Sequence, residues 1–327
     1  MSSTNDVFLL DVMSDGLVQE AIRKGFGRGL LQAGTDDERV VALCADLTGS
    51  TMINLFAEAF PQRFIEVGVA EQNLVTVASG MAAMGKIPFT SSYAAFSPGR
   101  NWEQFKTTAC LNNMPVKIVG SHAGLYTGPD GATHQMLEDI ALMRVLPNNV
   151  VVVPCDSVEA EKATRALAKD PRPGYIRLAR DSSPVFTTDK TPFEIGKAHV
   201  FSPGRDVTIC ATGTMVYQAL RAAEVLFMDG IDAEVINVST IKPLDSVTIL
   251  TSLRKTGACI TVEEAQVHGG LGGAVAELIG EELPVPLHRM GVQDRFGETG
   301  KPAELLEHFG LTYKHIAMAA HTIVKRK

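Results

Sequence analysis

Short apolar runs rich in β-branched residues recur along this chain, separated by stretches of helical spacing, and that alternation restricts the fold more than any other feature. Val40-Val-Ala-Leu-Cys44 is the clearest run, with no polar residue interrupting it. Similar runs at 40–45, 64–69, 87–91, 116–121, 150–154 and 175–178 are too short for helices and lack in–out alternation, so they predict strands buried on both faces. Helical spacing lies between most of them, at 74–84, 102–112, 138–146 and 157–169. An earlier helical segment, 15–33, has Leu17, Ala21, Ile22 and Leu30 apolar, although Gly25, Gly27 and Gly29 weaken it. Strands of this kind interleaved with helices predict an α/β fold with a doubly wound parallel sheet. From 182 to 204 the chain turns polar and proline-bearing, which predicts a linker. A second alternating block then has strands at 207–211, 233–238, 259–262 and 287–291 and helices at 215–228 and 273–282, a smaller α/β domain. The 327 residues suffice for two such domains, divided as 1–188 and 189–327.

Charge and cysteine usage exclude several classes of function. A net charge of -7 argues against binding a phosphate backbone, so no nucleic-acid partner is expected. Cys44, Cys110, Cys155, Cys210 and Cys259 are far apart, and several sit in apolar runs, which predicts buried free thiols. The opening Met1-Ser-Ser-Thr-Asn-Asp lacks the basic and apolar regions of a signal peptide, and no apolar run reaches membrane-spanning length. A soluble, cytoplasmic protein without a membrane partner is therefore expected.

The polar residues that matter stand where strands end. Open α/β sheets bind their ligands at the carboxyl ends of the strands. In Phe64-Ile-Glu-Val-Gly-Val-Ala-Glu71-Gln-Asn73 the acid follows a strand and begins a helix. Taken alone, Glu71 is explained by the helix dipole, which favours an acid in the first turn. Two further strand ends alter that balance. Pro88-Phe-Thr-Ser-Ser-Tyr93-Ala-Ala-Phe96 delivers two aromatic rings, and Val116-Lys-Ile-Val-Gly-Ser-His122 delivers an imidazole. A glycine-bearing loop then carries Asp130 and His134. An acid, an aromatic pair, two histidines and an aspartate from successive strand ends predict one site.

These residues resemble a known family. Val-Gly-Val-Ala-Glu71-Gln and Gly-Pro-Asp130-Gly-Ala-Thr-His134-Gln are similar to the glutamate motif and the Asp/His loop of transketolases. Transketolases are thiamine diphosphate (ThDP) enzymes that move two-carbon ketol units. The resemblance covers nearly the whole chain but only the second half of a typical single-chain member. It implies the smaller subunit of a split transketolase, with a pyrimidine-binding domain and then a transketolase C-terminal domain.

The roles follow from the resemblance. Glu71 would hydrogen-bond the pyrimidine ring and activate the cofactor, and Phe96, with Tyr93 beside it, would stack on that ring. Tyr93 is explained equally by core packing, since the family usually has phenylalanine there. His122 and His134 would move protons on substrate hydroxyls, and Asp130 would accept a hydrogen bond from the sugar. Arg23, Ser50, His122 and Arg180 would hold its phosphate, the guanidinium forks matching phosphate oxygens. Arg177 rivals Arg180 within Ile176-Arg-Leu-Ala-Arg180, and the motif match favours Arg180. Asp46 matches a segment near the cofactor, although an Asx turn explains it almost as well. His268-Gly-Gly-Leu-Gly-Gly273 does not fit a dinucleotide fingerprint or a P-loop and reads as a tight turn into a helix.

The Gly-Asp-Gly segment and later Asn by which the family holds the diphosphate and Mg²⁺ are missing. The resemblance therefore implies an N-terminal diphosphate-binding partner subunit carrying the Mg²⁺ ligands, in an α2β2 heterotetramer acting on sugar phosphates. An E1 β subunit of a 2-oxoacid dehydrogenase shares the domain order but needs no sugar-phosphate clamp. A 1-deoxyxylulose-phosphate synthase relative normally comes as one long chain. A scaffolding paralogue would be expected to have lost Glu71 or a histidine.

Overall fold

A computed structural model describes residues 8–327, so the reading of the first six residues lies outside the described part. Among the described residues, fourteen strands and eleven α-helices alternate along the chain. Strand β1 (Gln19–Ala21) leads into helix α1 (Ile22–Asp36), so the helix starts at Ile22, beyond Leu17, and runs past residue 33. Next come β2 (Val40–Cys44), α2 (Asn54–Ala59), β3 (Phe64–Glu66), α3 (Glu71–Ala83) and β4 (Ile87–Tyr93). A short helix α4 (Trp102–Gln104) continues as a π-helical turn, Phe105–Cys110, where one regular helix was expected. The first half closes with β5 (Lys117–Ser121), α5 (Asp139–Arg144), β6 (Val150–Val152), α6 (Ser157–Lys169), β7 (Gly174–Arg177) and β8 (Ser182–Pro184).

The second half contains β9 (His199–Ser202), β10 (Val207–Ala211), α7 (Met215–Met228), β11 (Ala233–Asn237), β12 (Thr240–Lys242) and α8 (Ser246–Thr256). It ends with β13 (Cys259–Gln266), α9 (Leu271–Glu282), β14 (Leu287–Val292), α10 (Pro302–His308) and α11 (Tyr313–Ile323). The expected linker is partly ordered as strand: β8 pairs with β1 and β9 pairs antiparallel with β11.

Two sheets carry the architecture. The seven-stranded sheet has the order β12-β6-β7-β5-β4-β2-β3 and is parallel except for its edge strand β12. That edge comes from the second half of the chain, so the two halves share a sheet. The five-stranded sheet, β14-β13-β10-β11-β9, is parallel except for β9.

Strand alternation divides the core into two layers. Val40, Ala42 and Cys44 of β2 face α1 and α6, while Val41 and Leu43 face the layer of α3 and α5. Both layers continue through the second sheet, under α7 and α11 on one side and α8 and α9 on the other. The glycines that weaken α1 in the sequence have a packing reason. A Cβ on Gly25 would lie 1.8 Å from the carbonyl oxygen of Ser157, so only glycine lets α1 and α6 approach this closely. All five cysteines are buried free thiols, as expected. No helix among the described residues is long and apolar enough to cross a membrane.

Candidate functional site

The carboxyl ends of β3, β4, β5 and β7 bring most of the expected residues together. Glu71 opens α3 and is only 4% exposed. Its carboxylate accepts from Arg100 Nη1, at 3.3 Å to Oε1 and 3.1 Å to Oε2. Asn101 holds the same residue by its backbone, donating Nδ2 to the Glu71 carbonyl at 3.0 Å and to Ser97 Oγ at 3.0 Å. The Arg100 guanidinium also lies over the Phe96 ring, 4.2 Å from its centroid. Phe96 in turn lies 6.0 Å from the nearly parallel Tyr93 ring and 5.4 Å from the edge-on His134 ring.

Tyr93 extends the chain of contacts toward the histidines and arginines. Its ring stacks on His122 at 3.8 Å. His122 has the left-handed φ of 55°, uncommon for a residue with a side chain. The conformation is held by Thr127 Oγ1, which donates to the His122 carbonyl at 2.6 Å, and by a 2.9 Å hydrogen bond between Ser121 Oγ and His122 Nδ1. Arg23 donates Nε to the Arg180 carbonyl at 3.1 Å and Nη1 to the Ser50 carbonyl. Ser50 thus enters the cluster through its backbone. Arg180 donates Nη1 to the Thr127 carbonyl at 3.2 Å and lies 3.8 Å from an Asp130 carboxylate oxygen. Arg23, Ser50, Tyr93, Phe96, His122, Asp130, His134 and Arg180 therefore form one contiguous wall that continues into Glu71.

The electrostatics of this wall revise one expectation. The His122 pKa is pushed down to about 3, first by burial and then by the nearby charges of Arg23, Arg180 and His134. His122 is thus a neutral ring at neutral pH, a donor and acceptor of hydrogen bonds rather than a group titrating near 7. Its NMR titration is expected to show a neutral imidazole down to about pH 3, and added inorganic phosphate is expected to raise that midpoint by screening the two arginines. The unfolded chain takes up this proton at the ordinary histidine value of 6.5, so between 6.5 and about 3 it binds more protons than the folded chain. This histidine therefore makes stability rise with pH across that window; a midpoint near 6 would show that the burial and the two arginines do not act on it.

Asp46 stands apart. It is exposed at the end of β2, and Glu66 organises the turn there, accepting from the Asp46 N–H at 2.7 Å and the Gly68 N–H at 2.9 Å. Arg177 is turned away from the wall and buried in ion pairs with Asp139 at 2.9 Å and Glu264 at 3.3 Å. His268-Gly-Gly-Leu-Gly-Gly273 is a turn into α9, whose first N–H groups, of Leu271 and Gly272, are both bound by the Glu263 carboxylate at 2.8 Å. Two contributors were not expected from the sequence. Arg100 lies in the turn beyond Phe96, and Gln135 straps the loop carrying Asp130 and His134 to the second half by donating to the carbonyls of Gly128 at 3.0 Å and Glu298 at 2.9 Å.

Comparison with known proteins places this geometry. Residues 19–185 match the family model for the transketolase pyrimidine-binding domain, and residues 196–316 match that for the transketolase C-terminal domain. The chain belongs to the transketolase family. A 6-deoxy-6-sulfo-D-fructose transketolase subunit from Clostridium sp. (strain MSTE9) is 46% identical over 91% of this chain and 92% of its own length. An apulose-4-phosphate transketolase subunit from Phocaeicola vulgatus is 38% identical over 94% of this chain and 98% of its own. A solved structure described as a split-gene transketolase, inactive β4 tetramer, superposes with a TM-score of 0.88 at 43% identity, covering 93% of this chain and 98% of that one. This transketolase chain thus matches subunits over nearly their full length. It is a transferase subunit of the ThDP-dependent transketolase type.

The site fits the pyrimidine end of that cofactor. A buried carboxylate lies beside an aromatic face that already carries a flat, hydrogen-bond-donating cation. The Ser91 and Ser92 hydroxyls at the end of β4 are buried with no hydrogen-bond partner among the described residues.

Proposed function

We propose that this transketolase subunit supplies the cofactor-activating acid and the substrate-gripping wall of a cleft completed by a second chain. The single observation that carries the reading is the run of contacts from buried Glu71, through Arg100 to Phe96, Tyr93 and His122, and on through Thr127 to Arg180 and Arg23. ThDP, when bound, supplies the nucleophilic carbon on which the two-carbon unit is carried from ketose donor to aldose acceptor.

The chain's own residues do the rest. Glu71 holds a proton on its carboxylate against the pyrimidine ring, and burial keeps water from competing for it. Phe96, supported by Tyr93, positions the ring by stacking. Neutral His122 and half-buried His134 donate and accept hydrogen bonds at the substrate's hydroxyls, with Asp130 binding one further hydroxyl. Arg23 and Arg180, with Ser50 beside them, face the anionic tail of the sugar. The two named relatives act on a sulfonated and a phosphorylated ketose, and both of those carry such a tail. Asp46, exposed and unlinked to the wall, is kept as a contact to the cofactor.

The diphosphate and Mg²⁺ are assigned to an N-terminal partner subunit in an α2β2 assembly, because the diphosphate segment is missing from this sequence. The division at 188/189 belongs to the same proposal, with the first unit binding the pyrimidine. A cytoplasmic location and a role in pentose-phosphate carbohydrate metabolism complete it. The inactive β4 assembly of the split-gene structure is consistent with a chain that needs its partner.

The test is reconstitution. Mixed with a chain carrying the Gly-Asp-Gly segment, the protein is expected to transfer ketol units with ThDP and Mg²⁺ and to be inactive without that chain. Turnover by this chain alone would overturn the proposal. Within the reconstituted enzyme, Arg180→Ala is expected to raise KM for a phosphorylated ketose roughly ten- to hundredfold with kcat little changed. An equal effect on an unphosphorylated ketose would remove the anion-binding role.

A further inference from the structure

The guanidinium of Arg100 makes both contacts that a flat heterocycle seated here would make. It stacks 4.2 Å from the Phe96 centroid, and it donates to both Glu71 carboxylate oxygens at 3.1 and 3.3 Å. The nearly parallel Tyr93 ring, 6.0 Å away, and the edge-on His134 ring, 5.4 Å away, also crowd Phe96. One aromatic face and one buried carboxylate cannot serve two flat partners at once.

The supporting turn shows which part can move. Asn101 fixes the backbone through the Glu71 carbonyl and Ser97, and the Arg100 N–H is bonded to the Phe96 carbonyl at 2.8 Å. The Arg100 side chain, in contrast, is 52% exposed while its Glu71 partner is 4% exposed. The backbone is pinned, and the side chain is free to swing into solvent.

We propose that Arg100 is a built-in stand-in for the cofactor's aminopyrimidine. It seats itself in the slot of the cofactor-free subunit, keeps the buried Glu71 carboxylate paired, and leaves when the pyrimidine enters. The proposal rests on the cofactor-binding reading above. A binding site whose competent form is only part of the population binds its ligand more weakly by that fraction. A cation–π contact and a half-exposed ion pair are each modest, which puts the expected handicap at about tenfold.

The test reads binding rather than turnover. Isothermal titration of ThDP into the complex with the partner subunit is expected to give about tenfold tighter binding for Arg100→Ala than for the unmodified protein. Millimolar guanidinium, filling the vacated slot, is expected to weaken ThDP binding to that variant and to leave the unmodified complex unaffected. Arg100→Gln, flat but uncharged, replaces the alanine variant if that one does not assemble, with tighter binding again expected. Unchanged or weaker ThDP binding by the variants, or guanidinium acting equally on both proteins, overturns the stand-in role. A complex that binds no ThDP even with Arg100 in place would instead overturn the cofactor reading on which the proposal rests.

Discussion

Glu71→Ala is expected to lower turnover of the two-chain enzyme by about a hundred- to ten-thousandfold, the range contributed by a positioned proton-transfer group. The carboxylate has no substitute nearby. Among its close neighbours, Arg100 only donates, Asn101 is committed to the Glu71 carbonyl and Ser97, and Phe96 is apolar. Assembly is expected to survive. The bond from Asn101 goes to the Glu71 backbone, alanine is a good helix former at the start of α3, and the released Arg100 is half in solvent already. Size-exclusion chromatography of the mixed subunits would therefore show the same complex, while steady-state assays would show the loss. Glu71→Gln sharpens the test, because it keeps shape and stacking and removes only the capacity to hold the proton. A glutamine variant retaining more than about a tenth of the activity would take the proton-holding role away from Glu71.

The clustering of these residues was legible in the sequence because they sit at strand ends, and strand ends are what an apolar run reveals. The run Val40-Val-Ala-Leu-Cys44 is fully buried, and α6 and α7 fall on the residues expected. Legibility fails where burial is polar. Strand β13 continues through Glu263, Glu264 and Gln266, beyond the apolar run, because these acids find partners that no local pattern announces: the N–H groups opening α9 and the Arg177 guanidinium. Helix α8 is rich in Ser, Thr and Val, poor helix formers, and is fixed by Asp245, whose side chain accepts from the Thr248 N–H. Strand β12 has three residues and exists only because the edge of the other half's sheet is there to pair with. Arg100 is a similar case. It lies in a turn four residues past Phe96, and only the path of that turn returns it to Glu71. Arg177 and Arg180 could not be separated by a two-residue period; the structure separates them because β7 ends at Arg177, leaving Arg180 beyond the sheet.

Arg177→Ala is expected to be the most destabilising single change considered, costing roughly 3–5 kcal/mol, the range for breaking a buried ion pair by removing one member. The side chain is 3% exposed and rivets three elements together. Its Nε donates to Asp139 at the start of α5, Nη1 to the Glu264 carboxylate of β13 at 3.3 Å, and Nη2 to the Glu264 carbonyl at 3.1 Å. Asp139 also accepts from the fully buried Tyr175 hydroxyl at 2.6 Å, and Glu264 from the Tyr126 N–H at 3.1 Å. Removing the guanidinium leaves two carboxyl groups without a cation in the seam between the sheets. The damage should also reach the wall that runs from Glu71 to Arg180. Gly124, at φ 72°, passes so close that a Cβ there would lie 2.5 Å from Arg177 Nη2, and Gly124 opens the loop carrying Tyr126, Asp130 and His134. Calorimetry is therefore expected to show a large fall in the unfolding temperature, with weaker substrate binding in whatever folded enzyme remains. Arg177→Met with Glu264→Gln, which removes the charges on both sides of one pair, should recover part of the loss. If the single alanine variant proved as stable as the parent, the seam would be held by apolar packing alone, and the link between Arg177 and the loop carrying Asp130 and His134 would fall with it.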